Sequence, residues 1–151
     1  MSISGDDRES VLRALREGVH SLCIGMDVRL IPEVGSNIAY ALPAARDPGQ
    51  VAAVEGRIVR LSGRPHPVGE VSFGASDHVA RIVLTAMRFD PQVRCAANIA
   101  YSPATVRILE DMLLEVRTFD RTAEPPGVKT MDWGVASCCR EGVPDVIYDL
   151  G

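Results

Sequence analysis

The sequence has no apolar run close to the roughly 20 residues that a helix needs to cross a bilayer. Asp6, Asp7, Arg8 and Glu9 break up the N-terminus, so no signal peptide is expected and a cytoplasmic setting is. There is no P-loop and no Gly-x-Gly-x-x-Gly fingerprint. His20, His66 and His78 show no metal-ligand spacing, and no metal site is expected. Cys23, Cys95, Cys138 and Cys139 contain no Cys-x-x-Cys pair, and adjacent Cys138-Cys139 cannot easily serve one zinc. They read as reduced, mostly buried small hydrophobes. No Ser-His-Asp set follows from spacing, and no cysteine stands out as a nucleophile. Repeats and low-complexity segments are absent too.

What is present suits a globular protein. The 151 residues are 46% hydrophobic and 24% charged, which allows one domain with a real core. The formal charge of −4 argues against bulk nucleic-acid binding. Arg57, Arg60, Arg64 and Arg81 still lie close enough in sequence to make a local basic pocket.

One stretch organises the chain: Phe73-Gly74-Ala75-Ser76-Asp77-His78-Val79-Ala80-Arg81. Gly74, Ala75 and Ser76 are small enough for a ligand to approach the backbone. Ser76 is an expected N-cap, followed by an apolar stripe of Val79, Ile82, Val83, Ala86 and Met87. Free N–H groups at such a helix start can hold an anion. His78 and Arg81 share a face there. An ordinary capped helix with a solvated histidine is the plainer alternative.

Other elements follow from pattern. The stripe Val11, Leu12, Leu15, Val19 and Leu22 predicts a helix from about Asp7 to Cys23. Strands are expected at 37–42, at 57–61 and at 68–71, the last two as a hairpin. A strand at 96–101 leads to Ser102-Pro103, an N-cap and N1 pair opening a helix to about Leu113. A strand at 114–119, a helix at 131–141 ended by Gly142 and a strand at 144–148 complete the list. Alternation of strands and helices in the second half predicts an α/β layered domain. Polar residues beside strand ends then become candidate site residues: Asn37, Arg57, Ser76, His78, Arg81, Asn98, Arg121 and Asp132 among them. Each is also a possible cap, surface ion pair or turn residue.

Seven ordered motifs give the chain a family resemblance. They are the segments 30–43, 54–60, 73–81, 98–101, 119–121, 131–134 and 143–149. Together they resemble the archaeal-type (ThiN) thiamine-phosphate synthase domain, across a single domain spanning 1–151. The resemblance implies an α/β/α three-layer fold with a mixed sheet, like that of class II aldolases of the fuculose-phosphate type. It implies a transferase that joins hydroxymethylpyrimidine pyrophosphate to thiazole phosphate and releases pyrophosphate. Arg57 and His78 match the family's essential arginine and histidine: Arg57 is expected to neutralise pyrophosphate, and His78 to orient or protonate it. Asn37, Gly74, Ala75, Ser76, Arg81, Asn98, Arg121 and Asp132 are expected to bind substrate. Mg²⁺ is expected to arrive with the substrate, and a homodimer is expected.

The chain departs from the family pattern in four places. Ser72 stands where an arginine is usual, Asp77 adds negative charge to the loop, and Leu150 replaces a frequent basic residue. The sequence also stops at Gly151, before the family's usual Gly-Lys-Glu-Pro-Met segment. These departures fit the second reading, a thiamine-phosphate-binding sensor domain of a repressor. No helix-turn-helix lies in these residues, so no contact with nucleic acid is expected of this domain.

Overall fold

The structure, a computed structural model, describes residues 5–128 and 131–150, with the side chains at 5, 6, 131 and 132 outside that description. The first helix, α1 (Gly5–Gly25), buries Val11, Leu15 and Val19 at four-residue spacing, which puts them on one stripe. Strand β1 (Ile38–Ala41) follows a short 3-10 turn at Val28–Leu30. Strand β2 (Val51–Val54) is buried at every position, the pattern of a strand covered on both faces. Sequence reading left these four residues outside any strand, because a run of Val and Ala does not alternate.

Next come β3 (Ile58–Leu61) and β4 (Arg64–Pro67), paired antiparallel with Leu61 opposite Arg64. Ser62 and Gly63 join them with φ of 51° and 74°, as a two-residue hairpin whose twist matches the strands requires. The expected partner at 68–71 is thus displaced to Arg64–Pro67. Pro65 and Pro67 hid it, although proline is tolerated on an edge strand. Strand β5 (Val71–Phe73) instead pairs with β2. Helix α2 (His78–Phe89) then buries Val79, Val83, Ala86 and Met87, as the stripe predicted, with Ile82 half-buried.

Strand β6 (Cys95–Ala97) closes a four-stranded antiparallel sheet in the order β5-β2-β1-β6. Helix α3 (Pro103–Asp111) has Ser102 as its cap, accepting from the Thr105 amide. Strands β7 (Val116–Phe119) and β8 (Val146–Asp149) pair in parallel. The expected helix at 131–141 is a π turn, Met131–Val135, running into the short α4 (Ala136–Cys139). Gly134 lies so close to the Phe119 ring that a Cβ has no room there.

The strands therefore do not join into the single mixed sheet expected from the resemblance. They form a four-stranded antiparallel sheet and two separate pairs, so the fold is mixed α/β. An isolated Ser36–Ile58 bridge joins β3 of the ribbon to the segment that leads into β1. The chain divides into two compact units, and one, with residues up to Leu84 plus Arg94–Ala100, holds the four-stranded sheet and the ribbon. The other holds Thr85–Val93 and the residues from Tyr101 onward. Within it Arg117 ties β7 to the end of α4, donating to the Cys138 carbonyl at 2.7 Å and the Gly142 carbonyl at 2.9 Å. No helix among the described residues is long and apolar enough to cross a membrane.

Candidate functional site

Strand register sorts the candidate residues into two groups. In the four-stranded sheet Val54 pairs with Val71, while Ala52 pairs with Phe73 and Ala41 with Val51. One end of β2 therefore carries Asn37, Asn98 and, three residues on, Arg57. The opposite end carries Gly74 and the loop that opens α2. Four strand residues rise about 3.3 Å each, so a strand length of roughly 10 Å lies between. Arg57 and the Gly74 loop do not adjoin within this unit.

At the Val54 end the polar groups face backbone. Asn37 is 4% exposed. Its Nδ2 donates to the Val54 carbonyl at 3.0 Å, and its Oδ1 accepts from the Val54 amide at 3.0 Å and the Ile38 amide at 2.9 Å. Asn98 Oδ1 accepts from the Asn37 amide at 2.7 Å, and Asn98 Nδ2 donates to the Gly35 carbonyl at 3.3 Å. Ser36 Oγ donates to the Asn98 carbonyl. These two asparagines act as surrogate strand bonds where β1 begins. Their amides are committed to architecture.

Arg57 behaves differently. It has φ of 71°, a left-handed conformation that costs a side-chain-bearing residue roughly 1–2 kcal/mol. Its Nη1 donates to the Val34 carbonyl at 2.7 Å, and the group is exposed. Arg60 beside it donates from Nε to the Ile31 carbonyl at 2.9 Å and from Nη2 to the same oxygen. Two arginines thus hold the 31–34 loop, and Arg57 retains most of its fork for another acceptor. Non-glycine residues in this conformation concentrate at functional sites.

At the Val51 end the groups face solvent. Gly74 has φ of +79°, and its amide donates to the Val51 carbonyl at 3.0 Å. Only glycine takes that turn without strain. Ser76 Oγ accepts from the Val79 amide at 3.3 Å, which is the expected cap. The Asp77 carbonyl accepts from the Arg81 amide at 3.0 Å. The Ala75, Ser76 and His78 amides have no acceptor among the described residues. His78 is exposed at the first turn of α2. Arg81 pairs with Asp77, Nε to Oδ2 at 2.9 Å, so the carboxylate in the loop is locally balanced. The loop can receive an oxyanion on backbone donors, with an imidazole alongside.

Sequence reading missed one cation here. The Arg8 guanidinium lies 4.1 Å from the centre of the Phe73 ring, immediately before Gly74. No local pattern could reveal it, because α1 and β5 are far apart in sequence. Ser72, where the family motif has arginine, donates to Glu55 Oε1 at 2.7 Å.

The remaining expected residues belong to the second unit. The Arg121 amide donates to Asp149 Oδ1 at 2.9 Å, and its Nε sits 3.6 Å from Asp149 Oδ2. Asp132 falls in the π turn, and its side chain lies outside the described ones. Among the described residues no three His, Cys, Asp or Glu side chains gather to hold a metal ion. Burial pushes the Cys138 and Cys139 thiols up, so both are poor thiolates.

Comparison with known proteins supplies the family. The sequence profile described as thiamine-phosphate synthase ThiN matches residues 14–151. The chain is 44% identical over 148 residues to the bifunctional thiamine biosynthesis protein ThiDN of Methanocaldococcus jannaschii, covering 96% of this chain and 35% of that protein. It is 40% identical over 129 residues to the thiamine-phosphate synthase ThiN of Methanothermobacter thermautotrophicus, covering 81% of this chain and 68% of that one. It therefore spans about a third of the bifunctional relative and about two thirds of the other. The crystal structure of the C-terminal domain of a phosphomethylpyrimidine kinase is 40% identical, with a TM-score of 0.88 over 95% of this chain and 85% of that one. With the profile covering nearly the whole chain, the protein belongs to the thiamine-phosphate synthase ThiN family.

Proposed function

We propose that this chain is a thiamine-phosphate synthase, a transferase that joins hydroxymethylpyrimidine pyrophosphate to thiazole phosphate and releases pyrophosphate. The observation that carries this reading is the 40% identity, over 81% of the chain, to a protein named for that activity. No feature of the described residues favours the sensor alternative over it.

Both reactants are phosphorylated, so the reaction needs two places for anions. The two ends of β2 supply two. At the Val51 end, the Ala75 and Ser76 amides, Arg8 and His78 suit a group whose negative charge grows as a bond breaks. His78 is assigned to orient or protonate the departing oxygen there. At the Val54 end, Arg57 suits a phosphate held throughout, gripped by a planar fork. Arg81, Arg121 and Asp132 remain substrate-binding candidates in this proposal, while Asn37 and Asn98 support the strand that places Arg57. Magnesium is assigned to the pyrophosphate it accompanies. The three-layer aldolase-like arrangement, a cytoplasmic setting, a homodimer and the absence of nucleic-acid contact belong to the same proposal.

The test is pyrophosphate release from the two reactants with Mg²⁺. Steady release that needs both reactants supports the assignment. Tight binding of thiamine phosphate without any release would move it to the sensor.

A further inference from the structure

Helix α3 exposes apolar side chains that nothing in the second unit uses. The helix meets β7, yet none of its residues is buried. Arg107, Ile108, Asp111 and Met112 are exposed at three- and four-residue spacings, so they share one face. Ile108 is 60% exposed and Met112 63%.

Leu113, just past the helix, is 91% exposed and has φ of 66°. Its amide donates to the Glu110 carbonyl at 2.9 Å, and the Leu114 amide to the Leu109 carbonyl at 3.2 Å. Glycine usually fills such a left-handed helix end. Backbone strain and a solvated apolar side chain thus coincide at one residue, a combination that marks an interaction site.

The charges on this face are ordered along the helix. Arg107 precedes Asp111 by one turn, and neither has an ion-pair partner among the described residues. An antiparallel copy of α3 therefore sets Arg107 against the partner's Asp111, and Asp111 against the partner's Arg107. The same two-fold axis brings Ile108 onto the partner's Ile108. It also directs Leu113 to the opposite end of the partner helix, where Tyr101 stands. Tyr101 is exposed and lies with its ring centre 5.2 Å from that of Tyr148.

We propose that α3 and its flanks form a self-complementary face that binds a second copy of this chain, antiparallel across a two-fold axis. The pairing needs nothing from the transferase reaction. Nine helical residues span only about 14 Å, so the face is small beside a standard interface and the dimer is a weak one, in the micromolar range.

Analytical ultracentrifugation of the full chain from about 1 μM to about 1 mM tests this. The average mass should rise with concentration from that of one chain towards that of two. Ile108→Asp should weaken association by at least about tenfold, because it buries two like charges at the axis. Arg107→Asp and Asp111→Arg should each weaken it, and the double variant should restore it, since the swap is again self-complementary. Leu113→Gly should raise the melting temperature of the dilute monomer while weakening the dimer, which separates the cost of the backbone from its use. These positions are on the surface, and a thermal melt checks that each variant folds. A chain that stays monomeric throughout overturns the proposal. A dimer indifferent to Ile108→Asp and to the charge swap does so too, because another surface then forms it.

Discussion

The two ends of the four-stranded sheet use polar residues in opposite ways. Near Val54, Asn37 and Asn98 turn their amides inward to backbone groups that β1 and its neighbours leave unmatched. Near Val51, the loop leaves amides and His78 facing outward, held by a left-handed glycine and a serine cap. The same residue type therefore carries different information according to burial. A buried asparagine with saturated bonds reports on architecture, while an exposed group on a constrained backbone is presented for use. Arg57 is the informative mixture: it sits at the inward-facing end, yet it is exposed, and it holds a left-handed conformation that a glycine would adopt more easily.

The largest effect expected in this comparison falls on stability. Asn37→Ala strands the Val54 amide in a buried setting and the Ile38 amide in a partly buried one, while the Val54 carbonyl keeps the Arg57 amide at 3.3 Å. At about 1–3 kcal/mol per buried unsatisfied group, partly relieved by relaxation, the loss should be about 3 kcal/mol in urea denaturation. Turnover per folded molecule should change little. Intact stability with lost turnover would place Asn37 among the ligand-binding groups and break the contrast between the ends.

Next in size is Arg57→Gly. It removes the cation and also the left-handed strain, offset by the lost bond to the Val34 carbonyl. Unfolding free energy should stay within about 1 kcal/mol of wild type. KM for the reactant whose phosphate is held throughout should rise by at least about tenfold, as expected for loss of a cation that grips that phosphate in ground and transition states alike. A variant that gains stability and keeps the wild-type KM would show that the strain at Arg57 serves only the turn.

Smaller again is Ser76→Ala. Loss of one cap bond should cost about 1 kcal/mol, read as a lower melting temperature. Because His78 is the first residue of α2, KM for the pyrophosphate-bearing reactant should rise as the loop loosens. Unchanged KM would detach the cap from the anion loop.

Much of this was legible in the sequence, for identifiable reasons. Helix α2 and its cap were readable because Ser76, Val79, Val83 and Met87 obey helical spacing. Helix α3 was readable from Ser102-Pro103. Strand β2 was not, because Val51-Ala52-Ala53-Val54 is apolar on both faces and carries no alternation. Strand β4 was hidden by its two prolines. The candidate residues were found one by one, but their division between two ends was not. That division depends on the register of β5 against β2, and register is a long-range fact. Arg8 escaped for the same reason. Asn37 was read as a ligand-binding candidate since nothing in a single sequence distinguishes an exposed amide from one that completes a strand.

The central claim is that the outward-facing end at Gly74 carries the chemistry. Its most direct test is kcat for pyrophosphate release in His78→Ala, measured beside its unfolding free energy. The account predicts a fall in kcat of at least about 100-fold, with stability within about 0.5 kcal/mol of wild type, because His78 is exposed and acts on charge that develops during the reaction. Undiminished kcat in a folded His78→Ala protein would contradict it.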